Sequence, residues 1–133
     1  MEVLNKIVLQ DCPENIISKT LDCVFSVHHE LGPGFLESIY EKVLMFELVR
    51  SGLSAESPRE LHVIYKGQDL GLGYRADIIV ENRLLLEIKC VEQLANIHTA
   101  QMINYLKLLQ YKRGFLLNFN VRLMKHGTRR ISI

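Results

Sequence analysis

Eight consecutive residues, Leu84-Leu85-Leu86-Glu87-Ile88-Lys89-Cys90-Val91, constrain this chain more than any other stretch. Their length and apolar character predict a strand within a sheet. Successive side chains of a strand point to opposite faces, so Glu87 and Lys89 share one. Charges in so apolar a run are costly unless they are paired or bound to a metal. Asp77 precedes Glu87 by ten positions, on what reads as the neighbouring strand.

Register decides whether these groups meet, because a one-residue slip moves every side chain to the other face. A two-residue turn pairs Val80 with Arg83 and opposes Asp77 to Leu86. A three-residue turn over Glu81, Asn82 and Arg83 pairs Val80 with Leu84 and opposes Asp77 to Glu87. A site shared by the two carboxylates therefore requires an odd-length turn or a bulge. Asn82 suits such a turn because it tolerates a left-handed backbone.

The surrounding pattern predicts two helices, three strands, a helix and a strand. Asp11 or Cys12 opens the first helix, with Asp11 as its cap and Pro13 near the first turn. Ile16, Ile17, Leu21, Val24, Val27, His28 and Leu31 recur at helical spacing until Gly32-Pro33-Gly34 breaks the helix. A second helix is expected over 35–50. Strands follow over 61–66, 71–80 and 83–91, then a helix over 97–110 and a strand over 114–119. A last strand lies at 121–124 or 129–133. This order implies an α/β fold with a mixed sheet flanked by helices.

Carboxylate oxygens suit a hard divalent cation such as Mg2+ or Mn2+. Asp77 and Glu87 fit the ligand role, the backbone carbonyl of Ile88 adds a further oxygen, and Lys89 fits the activation of water or the stabilisation of charge on phosphate. The alternative is a cross-strand salt bridge on a half-exposed face. His28, His29 and Cys23 lack a second ligand pair at zinc spacing. Gly71 and Gly73 form no nucleotide loop, since no helix follows them.

Charge is distributed unevenly. All 15 acids lie at or before Glu92, whereas seven basic residues and no acid follow: Lys107, Lys112, Arg113, Arg122, Lys125, Arg129 and Arg130. This basic half reads either as phosphate contacts beside an acidic site or as a solvated surface. At 133 residues the chain reads as one domain spanning 1–133. No apolar run approaches the roughly 20 residues of a membrane span. The start, Met1-Glu2-Val3-Leu4-Asn5-Lys6, lacks a secretory pattern. Three unpaired cysteines, Cys12, Cys23 and Cys90, suit a reducing cytoplasm.

Further motifs stand in a specific order. Gly34-Phe35-Leu36-Glu37-Ser38-Ile39-Tyr40 matches the pattern GxxExxY, preceded by Val27-His28-His29-Glu30-Leu31-Gly32-Pro33. Tyr65-Lys66-Gly67, Asp77, Glu87-Ile88-Lys89, Gln101-Met102-Ile103-Asn104-Tyr105-Leu106-Lys107 and Gly114-Phe115-Leu116-Leu117-Asn118-Phe119 follow. The set resembles the GxxExxY family, a compact member of the PD-(D/E)xK nuclease superfamily. The resemblance covers roughly 16–131, and Ala76 stands where the superfamily pattern has Pro.

The resemblance implies a restriction-endonuclease-like fold and Mg2+- or Mn2+-dependent hydrolysis of phosphodiester bonds in DNA. Asp77 and Glu87 take the metal and catalytic positions, Lys89 the catalytic lysine and Glu37 the helix-borne acid. Gln101 and Tyr105 match a QxxxY helix motif that lies beside the site. Gln101 is then expected to position water or phosphate, and Tyr105, Lys107, Lys112 and Arg113 to contact nucleic acid. Glu37 equally suits a helix N-terminus, and Tyr40 either holds the Glu37 carboxylate or packs in the core. The competing functions are a non-catalytic nucleic-acid-binding module and a protein-interaction subunit on the same scaffold. Cutting two strands would favour a homodimer, and sequence-specific cutting would need a protein partner.

Overall fold

The change from helical to alternating periodicity after Gly52 is where the chain passes from helices to strands. In the computed structural model, which describes residues 8–133, the elements are α1 (Glu14–Leu31), α2 (Glu37–Arg50), β1 (Ala55–Glu56), β2 (Arg59–Tyr65), β3 (Gln68–Ala76), β4 (Ile78–Val80), β5 (Leu84–Lys89), α3 (Asn96–Leu109), β6 (Arg113–Asn118) and β7 (Thr128–Ser132). A single 3-10 turn at Met124–His126 leads into β7. The segment read above for a leader, Met1 to Lys6, lies outside the described residues.

Helix α1 buries Ile17, Cys23, Val24 and Val27, the stripe expected of a helix against a core. Pro13 stands directly before it, while Asp11 gives no cap and instead pairs with Arg113 at 2.6 Å. The break after α1 is built by glycine geometry: Gly32 and Gly34 take φ of 66° and 108°, values that other residues reach only with strain. Helix α2 starts at Glu37, two residues later than its pattern suggests, because this turn extends through Leu36.

Tyr40 closes that turn. Its hydroxyl donates to the Gly32 carbonyl at 2.5 Å and accepts from the Phe35 amide at 3.2 Å. Its ring is fully buried and stacks on Phe119, with centroids 4.5 Å apart. Of the two roles open to Tyr40, the structure shows core packing. His28 and Cys23 are likewise structural: His28 bonds the Val121 carbonyl at 2.7 Å, and Cys23 lies 3.2 Å from the Ser51 hydroxyl.

The main sheet has the order β1-β4-β5-β6-β7. Only β5 and β6 are parallel, so the chain needs a crossover, which α3 supplies. The result is an α/β fold of three helices and a mixed five-stranded sheet. On one face Leu84, Leu86, Ile88, Phe115 and Leu117 pack against α1 and α2. On the other, Ile79, Leu85 and Ile131 meet Met102 and Leu106 of α3.

One strand expectation is corrected. The segment 71–80 divides: β3 pairs with β2 in a separate two-stranded ribbon, and β4 joins the main sheet. The chain changes partners at Asp77, where no Gly or Pro marks the break. The short strand β1 was not legible, and of the two positions for the last strand the later one is realised. Among the described residues no helix is long and apolar enough to cross a membrane.

Tyr40→Phe keeps the stacked ring and removes the hydroxyl. It is expected to destabilise the fold by about 0.5–1.5 kcal/mol, the range for losing ordinary hydrogen bonds whose partners can turn to water. Urea unfolding checks this as a lower midpoint at unchanged slope.

Candidate functional site

The turn that decides the site has three residues. Val80 pairs with Leu84 and Ile78 with Leu86, the register that sets Asp77 against Glu87. Glu81 and Asn82 both take φ of 53°, and the Arg83 amide donates to the Val80 carbonyl at 3.0 Å. Arg59 and the Tyr111 hydroxyl each donate to Asn82 Oδ1 at 2.8 Å and hold the turn.

Asp77 and Glu87 each bond the backbone of the other's strand. The Asp77 amide donates to Glu87 Oε2 at 2.9 Å, and the Ile88 amide donates to Asp77 Oδ2 at 2.8 Å. These bonds replace the ladder bonds lost where the chain leaves β3 for β4. The amide and carbonyl of one strand residue point to the same side. The Ile88 carbonyl therefore faces the Asp77 edge, while Lys89 turns its own carbonyl to the Phe119 amide of the neighbouring strand segment.

Both carboxylates are held in an unfavourable setting. Glu87 is only 6% exposed. Burial, and then the nearby charge of Asp77, push its carboxyl up to about 7 from an ordinary 4.5. Burial also raises Asp77, with Glu41 adding to the shift and Arg75 and Lys89 opposing it. The Tyr74 hydroxyl is buried next to Glu87 without closing a hydrogen bond, and its ring stacks on Tyr105 at 3.4 Å between centroids. A buried and a partly buried carboxylate, a backbone carbonyl and an orphaned hydroxyl form an all-oxygen set that fits a hard divalent cation.

The cross-strand salt bridge that was the alternative is not formed. Among the described residues Lys89 has no carboxylate within ion-pair distance; its side chain instead borders a cavity with Glu87, Gln101 and Tyr105. That cavity, of about 10 Å³, is close to the volume one water needs. Gln101 and Tyr105 reach it from one face of α3, as their i, i+4 spacing predicts. His98 also lines it, and its Nδ1 accepts from the Ala95 amide at 2.9 Å.

Other expected residues lie apart. The Glu37 carboxylate accepts from the Cys90 amide at 3.2 Å, just beyond the end of β5. Among the described residues no three His, Cys, Asp or Glu side chains come together at metal-holding distance, so Glu37 is not gathered with Asp77 and Glu87. The reason is layering: α2 covers one face of the sheet, and the carboxylate pair faces α3.

Lys112 and Arg113 are placed at the wrong end for direct service. In the parallel ladder Arg113 is level with Leu84, and Asn118 with Lys89. That is five residues of strand, about 16 Å. Arg113 and Lys112 both turn to Asp11, at 2.6 and 4.0 Å. Lys107, exposed in the last turn of α3, shares their end. Arg129 is the C-terminal base level with Glu87, since it pairs with Leu116, and it donates to Thr99 at 2.7 Å.

A family model of the PD-(D/E)XK nuclease superfamily matches residues 14–131. The chain belongs to that superfamily. Neither a curated protein nor a solved structure gives a significant match. Members of the PD-(D/E)XK superfamily typically use divalent metals, in accord with the oxygen donors found here. The residues that sequence reasoning missed are Arg75, Glu41 and Tyr74. Arg75 stands two before Asp77, a spacing that shares a face on an unbroken strand, and Glu41 stands one turn after Glu37; spacing alone could have suggested both.

A carboxyl group raised in the folded state binds its proton more tightly there than in the unfolded chain. The stabilising contribution of Glu87 is then full below about pH 4.5 and is lost as pH rises through about 7. Metal-free protein is therefore expected to unfold at lower temperature at pH 8 than at pH 5. Glu87→Gln should flatten much of that slope and unfold higher than wild type at pH 8, as thermal melts in chelator would show.

Proposed function

We propose that the chain is a divalent-metal-dependent nuclease acting on phosphodiester bonds in DNA, within the GxxExxY branch of the superfamily. The branch assignment is supported by Gly34, Glu37 and Tyr40 together with the glycine turn that Tyr40 closes. The single observation that carries the activity is the reciprocal pairing of Asp77 and Glu87, with Lys89 on the same face and, among the described residues, in no ion pair.

In this reading Asp77 and Glu87 hold Mg2+ or Mn2+, and the Ile88 carbonyl supplies a further oxygen. When bound, the cation acidifies water and offsets charge on the attacked phosphate. Lys89 presents an ammonium to the water and to the phosphoryl oxygens, where charge grows during the reaction. Gln101 positions the water in the small cavity. Tyr105, stacked on Tyr74, forms its wall and limits solvent entry. Glu37, on the α2 side of the sheet, joins the ligand set only if its carboxylate moves toward the pair. Backbone phosphates near the site are met by Arg129, and Lys107, Lys112 and Arg113 serve only a substrate long enough to reach the far end.

A second reading has its own support, since both carboxylates already have structural work in bonding backbone amides. On that basis the domain binds nucleic acid without cutting it. Incubation with single- and double-stranded DNA, and RNA as control, with Mg2+ or Mn2+ separates the two. Nuclease action predicts cleavage that chelator abolishes and that Asp77→Asn and Lys89→Ala reduce by about 10²–10⁴-fold. DNA binding unaffected by chelator, with no cleavage of any substrate, would establish the binding module instead.

A further inference from the structure

Arg75 lies at the point where β3 gives way to β4, and its guanidinium reaches two carboxylates. Nη1 is 3.6 Å from Asp77 Oδ1, and Nη2 is 3.2 Å from Glu41 Oε1. Glu41 is itself held by the Ser57 hydroxyl at 2.9 Å, so Arg75 spans from α2 to the site. The other Asp77 oxygen is occupied by the Ile88 amide. Arg75 thus covers Oδ1, the Asp77 oxygen that carries no backbone hydrogen bond. Its side chain is 52% exposed and can leave Asp77 without opening the core.

We propose that Arg75 is the resident counter-cation of this site: it covers Asp77 Oδ1 in the metal-free protein, competes with the divalent cation for that oxygen, and remains on Glu41 when displaced. The inference rests on the reading of Asp77 and Glu87 as metal ligands. Two carboxylates side by side, Glu87 buried and Asp77 partly so, repel each other when both are charged, and a positive group beside them relieves that repulsion. Lys89 and Arg75 are the cations that act on Asp77. Of the two, Arg75 alone is within ion-pair distance of it. A divalent cation brings more charge and takes over the role. The guanidinium fork suits the resting state because it can engage two carboxylates at once, which a lysine ammonium does less well. The cost is lowered metal affinity, and the gain is a site that is not left with two bare charges.

Calorimetric titration of Mn2+ into the metal-stripped full chain tests this, comparing wild type with Arg75→Gln and Arg75→Lys. Competition predicts that Arg75→Gln binds Mn2+ about two- to fivefold more tightly, as expected for losing a half-exposed ion pair. Arg75→Lys should fall between. The difference should shrink in 0.5–1 M salt, where exposed charges are screened within roughly 3–4 Å; a merely structural arginine would show no such dependence. Mn2+ binding seen only in Arg75→Gln would support the proposal in its strongest form. Equal or weaker binding by Arg75→Gln, with wild type binding Mn2+, would overturn it while leaving the metal site intact. Binding by neither chain would overturn the metal-site reading and this inference with it.

Discussion

A single count governs this structure: three residues, not two, join β4 to β5. With that count the Asp77 and Glu87 side chains fall on the same face and close reciprocal bonds to each other's strand. One residue fewer would turn Asp77 toward Leu86 and put the charge into the core packed against α1 and α2. The turn is accordingly reinforced from outside, by Arg59 and Tyr111 on Asn82 and by the Ser54 amide on Glu81 at 2.6 Å. Everything assigned to the site is downstream of that reinforcement.

The parallel pairing of β5 with β6 is the second determinant. It forces a crossover, and the crossover lays α3 over the face that carries the acids. Gln101 and Tyr105 then arrive beside Glu87 and Lys89 without any local signal beyond their own spacing. Ligand sites in open α/β sheets commonly gather at the carboxyl ends of strands, and Lys89 and Asn118 stand together at that end. Asn118 reinforces it: almost fully buried, it accepts from the Val91 amide at 3.1 Å and donates to the Val91 carbonyl at 2.9 Å. The exit of β5 is thereby fixed beside the lysine.

What could be read from residues alone follows from the range of the forces involved. Helices α1, α2 and α3 and strands β5 and β6 were legible because periodicity and glycine turns are local properties. The Asp77–Glu87 juxtaposition was legible as a condition on turn length. The partner change at Asp77 was not, because Leu70, Leu72 and Tyr74 continue an alternation that looks like one strand running into β4. Arg113 and Lys112 looked like phosphate contacts because sequence shows charge without showing which end of a strand it occupies. Glu37 seemed to join the acids because its motif does not reveal which layer its helix covers.

The partner change at Asp77 has a mechanical meaning. Asp77 lies between two pieces of sheet, a fulcrum with the short, buried β4 on one side and the nine-residue β3 on the other. The ribbon is a lever arm that carries Ile64, Tyr65, Leu70 and Leu72 exposed along its length. Its root is pinned by the Tyr74–Tyr105 stack and by Arg59, and its tip turns at Lys66 and Gly67, both at positive φ. A torque applied to that arm is delivered to the one residue whose backbone amide and carboxylate both bond to β5.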